Sequence, residues 1–82
     1  MQTNSNFKSA VVYSGSNCPW CDRAKALLDK EGIPYTAKQI GVDITKDEFF
    51  AAVPGARTVP QVFLDGVKVG GFEDLKKVLG KW

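Results

Sequence analysis

Ala10-Val11-Val12-Tyr13-Ser14-Gly15-Ser16-Asn17-Cys18-Pro19-Trp20-Cys21 is the stretch that decides the fold. It opens with an uninterrupted apolar run, Ala10 to Tyr13, with two β-branched residues at its centre. A run this short and this apolar predicts a strand buried on both faces. The small and polar residues from Ser14 to Asn17 predict a loop. Pro19 suits the first turn of a helix, where a missing N–H costs nothing. Beyond it Trp20, Cys21, Ala24, Leu27 and Leu28 recur at three- and four-residue steps, the pattern of an amphipathic helix reaching Lys30. Gly32 supplies a stop and Pro34 blocks continuation. Strand, loop and helix together put Cys18 at a helix start.

Working outward, Tyr35 to Ile40 predicts a second strand, more polar and edge-like. Gly41 to Ile44 is a connector. Thr45 and Glu48 have capping-box spacing and open a short helix carrying Phe49, Phe50 and Val53, ended by Pro54-Gly55. Thr58-Val59-Pro60 leads into a strand over Gln61 to Leu64. Asp65-Gly66 is a two-residue hairpin turn, and Val67 to Val69 returns as a strand. Gly70-Gly71 breaks it before a final helix over Glu73 to Gly80, with Leu75, Val78 and Leu79 on one face. Trp82 is expected to pack under its end, and residues 1–7, Phe7 aside, to form a disordered lead. The order β-α-β-α-β-β-α belongs to the α/β class. Its first half implies a right-handed parallel crossover. One mixed four-stranded sheet with helices on both faces accommodates the whole.

With 82 residues, the chain is expected to form a single domain over 1–82. Apolar residues make up 44% and charged residues 24%, ordinary for a water-soluble globule. A chain this short buries only about 60–65% of its unfolded surface, so its patterning must be efficient. The net charge of +2 is too balanced for an electrostatic footprint on nucleic acid. No apolar run approaches the roughly 20 residues of a membrane span, and the polar N-terminus has no signal-peptide core, so the expected location is cytoplasmic. There is no histidine, which excludes histidine bases and Ser-His triads. Cys18 and Cys21, the only cysteines, cannot fill a four-ligand zinc site. A disulfide closing so small a loop stabilises little. Redox chemistry remains as the use of the pair.

The chemistry of the two thiols differs by position. Cys18 precedes the helix, where unpaired N–H groups and the helix dipole favour a negative charge. Such a setting lowers a cysteine pKa, so Cys18 is the candidate nucleophile. Cys21 starts the apolar face and suits a buried resolving thiol. Asp22, Arg23 and Lys25 follow. Arg23 or Lys25 would add positive potential near the thiolate and Asp22 would oppose it, unless all three simply form a solvated helix face.

Cys-Pro-Trp-Cys after the first strand, Thr-Val-Pro before the third and Gly-Gly before the last helix occur in an order and spacing that resembles a glutaredoxin, over residues 8–80. The resemblance implies a thioredoxin-like fold. It also implies a glutathione-dependent thiol–disulfide oxidoreductase with Cys18 as nucleophile and Cys21 as resolving thiol. Protein disulfides and glutathione mixed disulfides would be its substrates, with glutathione as co-substrate and no bound cofactor or metal. In the family the Thr-Val-Pro proline is cis, which would turn the backbone groups of Val59 outward to pair with glutathione as an added strand does. Thr58, Val59 and Pro60 are therefore expected to bind glutathione. Trp20 stands where a tyrosine is usual and would wall the groove. Gly71, Phe72, Glu73 and Asp74 resemble the second glutathione element: glycine permits close approach, the helix start offers N–H groups to the γ-glutamyl carboxylate, and an acid accepts from its ammonium.

Two departures stand out. Gly15 occupies the place of a common lysine, and Asp47 that of a common glutamine. Arg57 first, or else Lys46, is expected to take over the contact with the glycine carboxylate. The partners implied are glutathione and disulfide-bonded or glutathionylated proteins, ribonucleotide reductase being a common client in the family. No nucleic acid or membrane partner is expected, and the chain should be a monomer. Two alternatives stand beside this reading: a redoxin of the same fold recharged by thioredoxin reductase, and a carrier of a glutathione-ligated [2Fe–2S] cluster.

Overall fold

The computed structural model describes residues 7–80. Along the chain run β1 (Ala10–Ser14), α1 (Pro19–Lys30), β2 (Tyr35–Gln39), α2 (Lys46–Ala52), β3 (Gln61–Leu64), β4 (Val67–Gly70) and α3 (Phe72–Val78). The strands form one sheet in the order β2-β1-β3-β4. β1 pairs in parallel with β2, from Ala10 opposite Tyr35 to Ser14 opposite Gln39. It pairs antiparallel with β3, from Ala10 opposite Leu64 to Tyr13 opposite Gln61. β4 closes the far edge as a hairpin with β3, with a register irregularity between Val62 and Phe63.

β1 alternates where continuous burial was expected. Ala10, Val12 and Ser14 are buried, while Val11 and Tyr13 are only half-buried. The reason lies in what covers each face. α1 and α3 touch each other and pack on the same side of the sheet. Under them lie Val12, Ala24, Leu28, Val62, Leu64 and Leu75, the centre of the core. Among the described elements, only α2 covers the other face. There the ring of Tyr13 meets those of Phe49 and Phe63, each with centroids 5.7 Å away. Successive side chains of a strand point to opposite faces, so one thick and one thin cover give alternating burial.

Local signals set the ends of the elements. Cys18 is the N-cap of α1 with Pro19 in its first turn. The capping box of α2 is complete: Thr45 Oγ1 accepts from the Glu48 N–H at 3.0 Å and Glu48 Oε1 accepts from the Thr45 N–H at 2.8 Å. Asp65 and Gly66 both have positive φ, 50° and 83°, as a type I′ hairpin turn requires. Asp65 Oδ1 also accepts the N–H groups of Lys8 and Ser9 at 2.9 and 3.0 Å, tying the turn to the segment that enters β1.

Some expected boundaries move. β2 ends at Gln39, and Ile40 makes an isolated bridge to Ile44. α3 begins at Phe72 and ends at Val78. Val78, expected on the buried face, is 49% exposed. Leu75 and Leu79 fill the stripe over the sheet, and Val78 falls beside it. Phe7 packs against the core. The expectations for Trp82 and for a disordered lead over residues 1–6 lie outside the described residues. Among those described, no helix is long and apolar enough to cross a membrane.

Candidate active site

Cys18 sits where the end of β1 turns into α1. Asn17, just before it, has φ 52°, a left-handed conformation that asparagine tolerates better than most residues. The Cys18 and Cys21 Cα atoms are 5.2 Å apart and the pair is disulfide-bonded. The Cys21 N–H donates to Cys18 Sγ at 3.1 Å. That donor is in place to favour a thiolate once the bond is reduced. Cys21 is 1% exposed, whereas Cys18 is half-buried. Cys18 is thus the more accessible of the two residues and Cys21 the one held in the interior.

Opposite the cysteines runs the segment before β3. The Val59–Pro60 peptide is cis. Val59 O lies 3.8 Å from Cys18 Sγ. Gln61, buried at the start of β3, donates from Nε2 to Thr58 O at 2.9 Å and so fixes the turn. A Cβ on Gly15 would stand 3.4 Å from Val59 Cγ2, so the loop before Cys18 already rests on the Val59 side chain.

A groove of about 240 Å³ beside Cys18 is lined by Trp20, by Thr58, Val59 and Pro60, and by Gly71, Phe72, Glu73 and Asp74. Two of these segments approach closely: a Cβ on Gly71 would be 3.6 Å from Pro60 O. Gly70 has φ 122°, and a Cβ there would meet Asp74 Oδ2 at 2.5 Å. Glycine lets the Asp74 carboxylate fold back over the end of β4.

Trp20 is 47% exposed. Its ring packs on Phe72, centroids 5.5 Å apart, and the Arg23 guanidinium carbon lies 4.5 Å from its centroid. Lys76 in turn sits 5.7 Å from the Phe72 ring and 4.0 Å from the Glu73 carboxylate. Lys25 pairs with Asp22 at 3.7 Å. Arg23 and Lys25 are thus engaged with Trp20 and Asp22, and the donor that reaches Cys18 Sγ is the backbone N–H of Cys21.

Every residue expected to bind glutathione lines this groove except Arg57. Arg57 lines an adjoining groove, with Lys46 and aromatic side chains of α2. Two contributors escaped the reading of the sequence. Gln61 carries a faint signal, a polar residue opening an apolar strand. The stacking of Arg23 on Trp20 carries none beyond an i,i+3 spacing on a helix.

A family model described as Glutaredoxin matches residues 10–69. Glutaredoxin 1 of Rickettsia prowazekii (strain Madrid E) is 39% identical over 67 residues, covering 79% of this chain and 70% of that protein. The solution structure of reduced Escherichia coli glutaredoxin superposes with a TM-score of 0.74 at 32% identity, covering 88% of this chain and 93% of the other. A buckwheat glutaredoxin–glutathione complex gives a TM-score of 0.63 at 34% identity, over 88% of this chain and 70% of that one. The sheet order and helix placement are those of the thioredoxin-like fold these structures share. The matched stretch runs from β1 into β4 and takes in both cysteines and the cis-proline turn, so the chain belongs to the glutaredoxin family, and its Cys18–Cys21 dithiol is that of a thiol–disulfide oxidoreductase.

Proposed function

We propose that this chain reduces protein disulfides and glutathione mixed disulfides at the expense of glutathione. The observation that supports this most is the groove beside Cys18. It offers the Val59 backbone as an edge for an extended peptide, Trp20 as a flat wall and the Glu73 and Asp74 carboxylates for an ammonium group. Glutathione presents complementary groups along its length. The buckwheat relative is known in complex with it.

On a glutathionylated client, the Cys18 thiolate attacks the glutathione sulfur. The Cys18–glutathione disulfide forms, the client–glutathione bond breaks, and the electron pair leaves on the client thiolate. A second glutathione thiolate attacks the glutathione sulfur of that adduct, frees Cys18 and forms glutathione disulfide. On a client disulfide, Cys18 is first joined to one client sulfur while the other departs as thiolate. Cys21 then attacks Cys18 Sγ, releases the client and leaves the Cys18–Cys21 disulfide for two glutathiones to reduce.

Two coupled assays on one preparation test the reading, one with glutathione and glutathione reductase, the other with thioredoxin reductase. Turnover in the first and little in the second is expected. The reverse pattern would assign the chain to the redoxins recharged by thioredoxin reductase. Cys21→Ser should keep reduction of glutathione mixed disulfides and lose most reduction of protein disulfides, because only the second route uses a resolving thiol. Equal loss of both would refute this division of roles.

A further inference from the structure

A second groove, of about 230 Å³, adjoins the first and shares Thr58 and Val59 with it. Its apolar wall is Ile40, Phe49 and Phe50, and its charged lining residues are Lys46 and Arg57, with no acid among them. The Phe49 and Phe50 rings pack 5.4 Å apart, yet Phe50 is 46% exposed.

The shared ridge lies next to the reacting sulfur, since Val59 O is 3.8 Å from Cys18 Sγ. Anything bonded to that sulfur and paired with Val59 therefore faces both grooves. The chain runs from Arg57 in the second groove to Pro60 in the first. A segment pairing antiparallel to it puts its N-terminal side by Glu73 and Asp74 and its C-terminal side by Phe50, Lys46 and Arg57. Glutathione has glycine at its C-terminal end and no side chain to cover the aromatic wall.

We infer that the second groove selects among client proteins by taking the residue that follows the client's reactive cysteine, favouring a bulky apolar side chain with an acidic neighbour. The orientation rests on the glutathione reading above. The acidic neighbour meets Lys46 and Arg57, and the apolar side chain covers Phe50. In the step concerned, Cys18 Sγ bonds to the client sulfur, the client disulfide breaks and its other sulfur leaves as thiolate.

The test uses Cys21→Ser protein, whose mixed disulfides are not resolved internally. Its Cys18–glutathione adduct is equilibrated with acetylated, amidated peptides Ala-Cys-Leu-Asp, Ala-Cys-Gly-Asp and Ala-Cys-Leu-Lys, and the adducts are counted by intact-mass spectrometry. In each exchange the peptide thiolate displaces glutathione thiolate. The same peptides exchanged against glutathionylated cysteamine correct for intrinsic thiol differences. The Leu-Asp peptide should be favoured over Gly-Asp about fivefold, in line with partial burial of one leucine. Phe50→Ala should bring that ratio to about one, and Lys46→Gln should shrink the preference for Asp over Lys, with unfolding midpoints checked for both. Phe50→Ala should leave the exchange with glutathione itself unchanged. A Leu/Gly ratio near one in the parent, or one that survives Phe50→Ala, overturns the inference. A parallel exchange with 2-mercaptoethanol separates the two readings: no preference for glutathione over that thiol defeats the glutathione reading, whereas a clear preference with no Leu/Gly discrimination defeats only this one.

Discussion

Cys18 and Cys21 are three positions apart and chemically unlike. One caps a helix at the edge of a groove, and the other belongs to the buried stripe of that helix. In the reduced protein, limiting iodoacetamide at neutral pH should label Cys18 and spare Cys21, as peptide mapping will show; predominant labelling of Cys21 would reverse the assignment. Gly15 is the second residue where one atom matters. It does not occupy the left-handed region, and an added Cβ would meet Val59 Cγ2 at 3.4 Å, close to ordinary contact. Gly15→Lys should therefore fold with little loss of stability. If glutathione lacks a cation for its glycine carboxylate, the new ammonium will lower the apparent KM for glutathione by at most about fivefold, because an exposed ion pair contributes roughly 1 kcal/mol or less. Unchanged KM at intact stability would show that another group, Arg57 foremost, already holds that carboxylate.

Elements of this protein differ in how they are held. α1 is fastened by a buried stripe of Cys21, Ala24 and Leu28. α2, seven residues long, buries only Phe49 within its span, with Val53 buried just beyond it. Its capping box consequently carries a larger share of its stability. Thr45→Ala removes the side-chain acceptor and should cost about 1 kcal/mol, within the usual 0.5–2. For a domain of this size that lowers the thermal midpoint by roughly 4–8 °C. No shift would mean that Phe49 against Tyr13 is sufficient to hold α2. Thr45, Glu48 and their spacing were legible in the sequence because a capping box is a contact between near neighbours. The partner of Phe49 was not, since Tyr13 lies in another element.

At the scale of the whole molecule, stability depends on the layer between the sheet and the α1–α3 pair. Leu28 is fully buried there among residues from β1, β3 and α3. Leu28→Ala should cost about 2–5 kcal/mol. That is a large part of the roughly 5–15 kcal/mol that folded chains command. Val78→Ala, half-exposed on the same face of the molecule, should stay within about 0.5 kcal/mol. Urea unfolding of both variants against the parent will show the contrast. Equal losses would mean that Val78 is covered in solution by something other than the described residues.

Periodicity, turn chemistry and caps are local, and from them alone the sequence determined the element order, the α/β class, the place of Cys18 at a helix start and the hairpin at Asp65-Gly66. Three short motifs were specific enough to single out the family. Tertiary structure alone decided what depends on which elements meet. β1 alternates because α1 and α3 share one face while α2 thinly covers the other. Val78 is exposed because α3 meets the sheet through Leu75 and Leu79. Trp20, Pro60 and Phe72 become one groove, and Arg57 falls into its neighbour, because the sheet order sets β3 beside β1 and α3 beside α1. A groove built from segments some forty and ten residues apart has no periodicity or spacing to announce it; it exists only once packing has brought those segments within contact distance.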